Sequence, residues 1–182
     1  MKPCPPRAIV TMLAALLLLG ACASTPPTLF YTLEPLISSV SSSSGSAISV
    51  GPVTVPEAVD RPQMVLRTGT NQVTLAEQRR WAESLRSAIA RVVSANLAAS
   101  GTTTTAATTV AIDIVRFDSQ LGVAIDLAAN WRIRSGSDAA RSGSMAWHEP
   151  VFGNDYADLA AGHSRALAQL SRQIAATIAT KQ

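Results

Sequence analysis

VAIDLAANWRI, residues 123–133, alternates with a period of two. Val123, Ile125, Leu127, Ala129, Trp131 and Ile133 fall on one side of an extended chain, and Ala124, Asp126, Ala128, Asn130 and Arg132 on the other. One apolar and one polar side predict a strand in an antiparallel sheet that is covered on a single face. Val110 to Phe117, just upstream, is a second strong strand signal. Downstream, the turn Ser135-Gly136-Ser137-Asp138 leads into a further strand, Ser142 to Trp147, with Met145 and Trp147 facing in.

A sheet with one dry face needs a cover, and two amphipathic stretches supply it. After the strands, Asn154 or Asp155 can cap a helix in which Tyr156, Leu159, His163, Leu167, Leu170, Ile174 and Ile178 recur at three and four. Before them, Thr74-x-x-Glu77 has capping-box spacing. Trp81, Leu85, Ile89, Val92 and Leu97 then share a face, and Ser100-Gly101 ends a helix of about twenty-five residues. Ahead of that helix, Leu29 to Leu33 and Ala47 to Val55 are strand-like, the latter kinked at Gly51-Pro52. Gln63 to Thr68 and Gln72 to Leu75 bracket a Gly69-Thr70-Asn71 hairpin turn. The serine-rich run 38–46 and TTTTAATT, 102–109, are loops or linkers. The predicted fold is α/β of the α+β type. It is a two-layer sandwich, with a mostly antiparallel sheet of about five strands and two amphipathic helices on one face.

The N-terminus reads MKPCPPRAIVTMLAALLLLGAC: two cations, an apolar run from Ala8 to Leu19, then small residues and a cysteine. A dozen apolar residues fall short of the roughly 20 that cross a ~30 Å hydrocarbon core, so the segment reads as an export signal. Its end, Leu19-Gly20-Ala21-Cys22, resembles the lipobox of bacterial lipoproteins. A branched Leu19 suits a peptidase pocket, and small Gly20 and Ala21 admit the backbone. The Cys22 thiol would accept a diacylglyceryl group, and its freed amine an N-acyl group. At about 0.8 kcal/mol per buried methylene, two or three chains anchor a protein stably. The competing reading is an ordinary secretory signal with a coincidental cysteine; agreement of charge, length, small residues and thiol favours the lipobox. In Gram-negative lipoproteins of this pattern, Ala23 in place of aspartate implies the outer membrane, on its periplasmic face. The expected organisation is therefore a signal peptide (1–21), a lipidated tether (22–28, with the proline-bearing ASTPPT) and a periplasmic domain (29–182).

Removal of residues 1–21 from the 182 leaves 161, enough for one domain. Lys2 and Arg7 leave with the signal, so the formal charge falls from +3 to +1, and the remaining arginines are scattered among acids. That distribution argues against nucleic acid as a partner. With Cys4 removed as well, Cys22 is the single thiol, and no internal disulfide can form.

The stretch GPVTVPEAVDRPQMVLRTGTNQVTLAEQRRWAESL, Gly51 to Leu85, resembles the PqiC-type lipoproteins, auxiliary components of ABC-type transport systems of the MCE class. Asp60-Arg61-Pro62 and Trp81-Ala82-Glu83 carry most of that likeness. The resemblance implies a lipoprotein anchored in the outer membrane that docks with an MCE-domain protein in moving lipids between the two membranes. It also implies that the chain can assemble as a homo-oligomeric ring.

Asp60, Arg61 and Pro62 can face a partner, or Asp60 and Arg61 can form internal ion pairs that fix the start of a strand; the second reading is favoured. Trp81 and Glu83 read as packing and helix-dipole residues. His148-Glu149 and His163 are the only histidine chemistry. With no nucleophile motif and no metal-ligand spacing, neither a catalytic nor a metal site is expected, and no cofactor beyond the acyl groups on Cys22. The alternative function is a periplasmic lipid-binding module that itself holds an acyl chain in a cavity of a few hundred Å³. A Cys22→Ala substitution is expected to release the protein from membranes or leave it unprocessed; retention at the parental level after fractionation would contradict the anchor.

Overall fold

In a computed structural model of the chain, residues 26–36 and 48–180 are described. The signal peptide, the lipobox at Leu19 to Cys22 and the serine run 38–46 fall outside them. The elements are β1 (Leu29–Tyr31), β2 (Ile48–Thr54), β3 (Gln63–Gly69), β4 (Gln72–Trp81), α1 (Leu85–Ala99), β5 (Thr108–Gln120), β6 (Ala124–Ser135), β7 (Arg141–Pro150) and α2 (Tyr156–Ala179).

The α+β class holds, with the strands divided between two mixed sheets. The four-stranded sheet runs β2-β5-β6-β7 and the three-stranded sheet β1-β4-β3. β5, β6 and β7 form the antiparallel meander that the alternation at 123–133 predicts, with Ile112 opposite Trp131 and Leu127 opposite Trp147. β2 joins this sheet parallel to β5, and its register shifts between Val50 and Val53, at Gly51-Pro52. β1 is likewise parallel to β4. Parallel pairing needs a crossover, and the helix-containing stretch between β2 and β5 provides one.

The inward face of β6 is dry as expected: Ile125, Leu127, Ala129 and Ile133 are almost fully buried and Trp131 nearly so. Val123 departs from the pattern, because it lies in the turn before β6 and is exposed. Trp147 faces the same side as Leu127, but β7 is the edge strand and the indole remains 38% exposed. Above the sheet, α1 contributes Ile89, Val92, Val93 and Leu97, and α2 contributes Leu159, Leu167, Leu170 and Ile174. Each such side chain contributes about 1.5–3 kcal/mol by leaving water.

Polar groups buried between the helices are matched. Asn96 of α1 donates to Ser171 Oγ of α2 (3.3 Å) and accepts from the Leu36 amide (3.1 Å). Ser164 and Ser171 donate back to carbonyls four residues earlier. The Glu34 amide donates to Ser164 Oγ at 3.0 Å, so the segment after β1 is fastened to both helices.

The start of α1 is a correction. Thr74 and Glu77 do not cap a helix: they lie in β4, which continues to Trp81. Ser84 is the N-cap, accepting from the Ser87 amide at 3.2 Å, and α1 has 15 residues. Trp81 therefore ends a strand instead of standing on the helix stripe. At the other helix, Asp155 caps α2 with a reciprocal bond from its own amide to Asp158.

Gly143 of β7 lies opposite Trp131 of β6. A Cβ at Gly143 would fall inside the van der Waals envelope of the indole, so the bare backbone is what lets Trp131 lie across the edge strand. Gly143→Ala is expected to lower stability by about 1–3 kcal/mol despite alanine's better fit to a strand. A lower midpoint in urea unfolding would register it; an unchanged midpoint would mean that the indole moves freely.

Candidate functional site

The loop between β2 and β3 turns tightly after Pro56, with Val59 and Asp60 amides bonded to the Pro56 carbonyl and the Arg61 amide to Val59 (2.8 Å). Buried Val59 holds its base, and the Pro62 carbonyl accepts from the Trp81 amide at 2.7 Å. That bond brings Asp60-Arg61-Pro62 against the end of β4. The two short motifs that stood out in the sequence, some twenty residues apart, become the two walls of one open hollow of about 360 Å³, with Trp81 to Leu85 as the second wall.

Within it, the charges are unequal in freedom. Asp60 is held by Arg86 of the first turn of α1, through Nε at 3.3 Å and a close Nη2 contact. Glu83 is held by Arg91 at 2.6 and 3.1 Å, and Arg91 also donates to the Leu33 carbonyl at 2.8 Å. These pairs are partly exposed and contribute on the order of 0.2–1 kcal/mol each, so their effect is positional. They lock the β2–β3 loop and the segment after β1 to α1. Arg61 is different: its side chain is exposed and makes no ion pair among the described residues. The hollow thus offers one unneutralised guanidinium beside Pro62 and Leu85, an arrangement suited to an acidic, partly apolar segment of another molecule.

Trp81 lies beneath the hollow and is buried. Its ring meets Phe117 of β5 edge-on at 6.4 Å and His163 of α2 at 5.7 Å, while Phe117 and His163 stack at 4.0 Å. His163 Nε2 is 2.8 Å from Ser119 Oγ, and Nδ1 has no partner among the described residues. Burial pushes the imidazole pKa down to about 3, so His163 is neutral. The Ser119–His163 pair has the spacing of a nucleophile and base, yet both groups are sealed in the core. His148 and Glu149, by contrast, belong to surface networks: His148 Nδ1 lies 2.8 Å from Asp126, and Glu149 accepts from Arg165 (2.5 Å) and Trp147 (3.0 Å).

Two features had no sequence signal. Arg67 of β3 forms a two-pronged bond to Asp118 of β5 (2.9 and 3.0 Å), joining the sheets across 51 positions. A second open hollow, about 640 Å³, lies on the polar face of the four-stranded sheet between Thr54, Asp113, Asn130 and Ser144. Among the described residues, no cluster of His, Cys, Asp and Glu could hold a metal ion, and no helix is long and apolar enough to cross a membrane.

Fold and hollow together describe a small α+β body with an open hollow walled by Asp60-Arg61-Pro62 and Trp81-Ala82-Glu83. The chain belongs to the family of ABC-type transport auxiliary lipoprotein components, whose family model matches residues 31–175. Two solved structures share the fold. One is an uncharacterized protein (TM-score 0.71, 17% identity, covering 84% of this chain and 99% of that one). The other is protein XCC0632 from Xanthomonas campestris, described as DUF330 (TM-score 0.64, 20% identity, 81% and 93% covered). A comparison with curated proteins gives no significant match.

The buried imidazole sets a pH dependence. Its pKa is about 3 when folded and about 6.5 when unfolded. The unfolded chain therefore binds the extra proton as pH drops below 6.5, and stability falls with it. The expected loss reaches about 2 kcal/mol by pH 5. Urea midpoints at pH 7.5 and 5.0 should diverge in the parent and converge in His163→Gln; equal divergence in both would assign the effect elsewhere.

Proposed function

We propose that this lipoprotein is held in the outer membrane through acylated Cys22 and serves as a docking component of an MCE-type ABC lipid transport system. The Cys22 thiol takes the diacylglyceryl group, and removal of residues 1–21 then frees the Cys22 amine for N-acylation, the chemistry its lipobox-like context suggests. The observation that carries the docking role is the meeting of Asp60-Arg61-Pro62 and Trp81-Ala82-Glu83 in one hollow, with Arg61 making no ion pair among the described residues. The braces Asp60–Arg86 and Glu83–Arg91 present that cation on a rigid frame, so little conformational freedom is lost when a partner binds. Membership of a transport auxiliary family supports a binding rather than an enzymatic role. The Ser119–His163 pair is closed to any substrate in the folded state.

The alternative, a module that itself carries an acyl chain, needs an apolar cavity between sheet and helices. That layer is filled by Ile89, Leu97, Leu127, Ile133, Leu167 and Leu170, and the hollows described are open to solvent. Docking is the better reading. Copurification of phospholipid at one mole per mole of protein would reverse that preference.

Arg61→Glu is expected to weaken capture of the MCE component from solubilised membranes by about tenfold or more, with the thermal midpoint unchanged because Arg61 makes no ion pair among the described residues. Undiminished capture by this variant would move the docking surface away from the hollow. Native mass of the purified lipoprotein tests the ring.

A further inference from the structure

Four of the exposed large apolar side chains lie on segments that meet around the start of α2. Leu29 and Phe30 lie on β1, Val123 in the β5–β6 turn and Phe152 in the loop before α2, with Phe30 65% and Phe152 78% exposed. These segments form one end of the molecule. The Val151 amide donates to the Val123 carbonyl at 3.0 Å, and Gly122 lies against the Asn154 side chain. The Tyr31 ring stands 6.1 Å from Tyr156 in the first turn of α2, and Phe30 lines an open hollow with Leu36, Ala157 and Ala161.

Cys22 precedes Leu29 by seven residues, which span at most about 25 Å when fully extended. An acylated Cys22 therefore keeps Leu29 within that distance of the bilayer. Exposed phenylalanines on a soluble face call for a cover, and the nearest apolar medium is the one that holds the anchor. Charges around the end are mixed. Arg79 and Arg80 stand opposite Leu29 and Phe30, with Arg79 over the Tyr156 ring at 5.5 Å, while Glu34, Asp155 and Asp158 offset them. Such a balance gives no steering toward anionic lipid, so apolar contact sets the pose.

We propose that the end bearing Leu29, Phe30, Val123 and Phe152 is a membrane-seating surface, inserted at the headgroup boundary of the leaflet that carries the Cys22 anchor. It rests on the lipoprotein reading of Cys22. Seating fixes the domain's orientation, where the tether alone would let it tumble.

The test uses the processed full-length lipoprotein reconstituted into phosphatidylcholine vesicles. An environment-sensitive fluorophore is attached through Phe152→Cys or, as a control in the exposed β6–β7 turn at the opposite end of β6 from Val123, through Ser137→Cys. Lipid carrying a quencher at a shallow acyl position is expected to quench the label at 152 at least twofold more than that at 137, with little change between low and high salt. Equal quenching at both sites, in protein that floats with the vesicles, overturns the seating surface and leaves the anchor standing. Protein that fails to float overturns the anchor and the seating with it. A label at 152 that is unquenched but blue-shifted in proportion to protein concentration overturns seating in favour of contact between copies of the chain.

Discussion

The rings of Trp81, Phe117 and His163 are the joint on which the domain depends. Each comes from a different layer: the three-stranded sheet, the four-stranded sheet and α2. Neither sheet closes on itself, and the smaller one has only three strands, too few to be stable without apolar support. The stack at 4.0 Å and two edge-on contacts tie that small sheet to the larger body, and Arg67–Asp118 repeats the tie at a second point. Keeping the imidazole neutral is the condition for this packing, because a cation between two aromatic rings and no solvent would be left without a counter-charge.

The same joint shapes the surface above it. With Trp81 fixed in the core, its amide reaches Pro62 and its successor's amide reaches Tyr31, so the β2–β3 loop and β1 are both positioned by one residue's backbone neighbourhood. Ion pairs at Asp60 and Glu83 then hold the walls, while Arg61 makes no ion pair among the described residues.

Much of this was readable from residue order where a single interaction decides the outcome. Alternation from Ile125 to Ile133, the Gly69-Thr70-Asn71 turn and the Asp155 cap each follow from local geometry. The start of α1 did not, and the reason is physical. β4 is a long hairpin arm with only Ala76 and Trp81 buried, so QVTLAEQRRW shows no period of two and resembles the polar lead-in to a helix. Trp81, Leu85 and Ile89 then fall at steps of four although a strand end and a helix share them. The division of the strands between two sheets is not legible locally, because the β3–β4 hairpin meets β5 through side chains such as Arg67 and Asp118 and not through a shared ladder, while β1 and β2 join by parallel pairings to segments fifty or more positions away. For the site, Asp60-Arg61-Pro62 and Trp81-Ala82-Glu83 were visible as motifs, but their meeting rests on the Pro62–Trp81 bond, which no spacing encodes.

β1 has only three residues, pairs in parallel with the end of β4, and is the first element among the described residues. Any pull on an anchored N-terminus therefore loads its ladder along the strand direction, in shear, before the force reaches the core. Behind it, the Glu34 and Leu36 amides bonded to the helices, the Leu33 carbonyl held by Arg91 and the fully buried Leu33 side chain act as a second catch. Tension applied at the N-terminus is thus spent on a short outer strand and stopped at a buried pin, which lets β1 be stripped while the sheets and helices keep their shape.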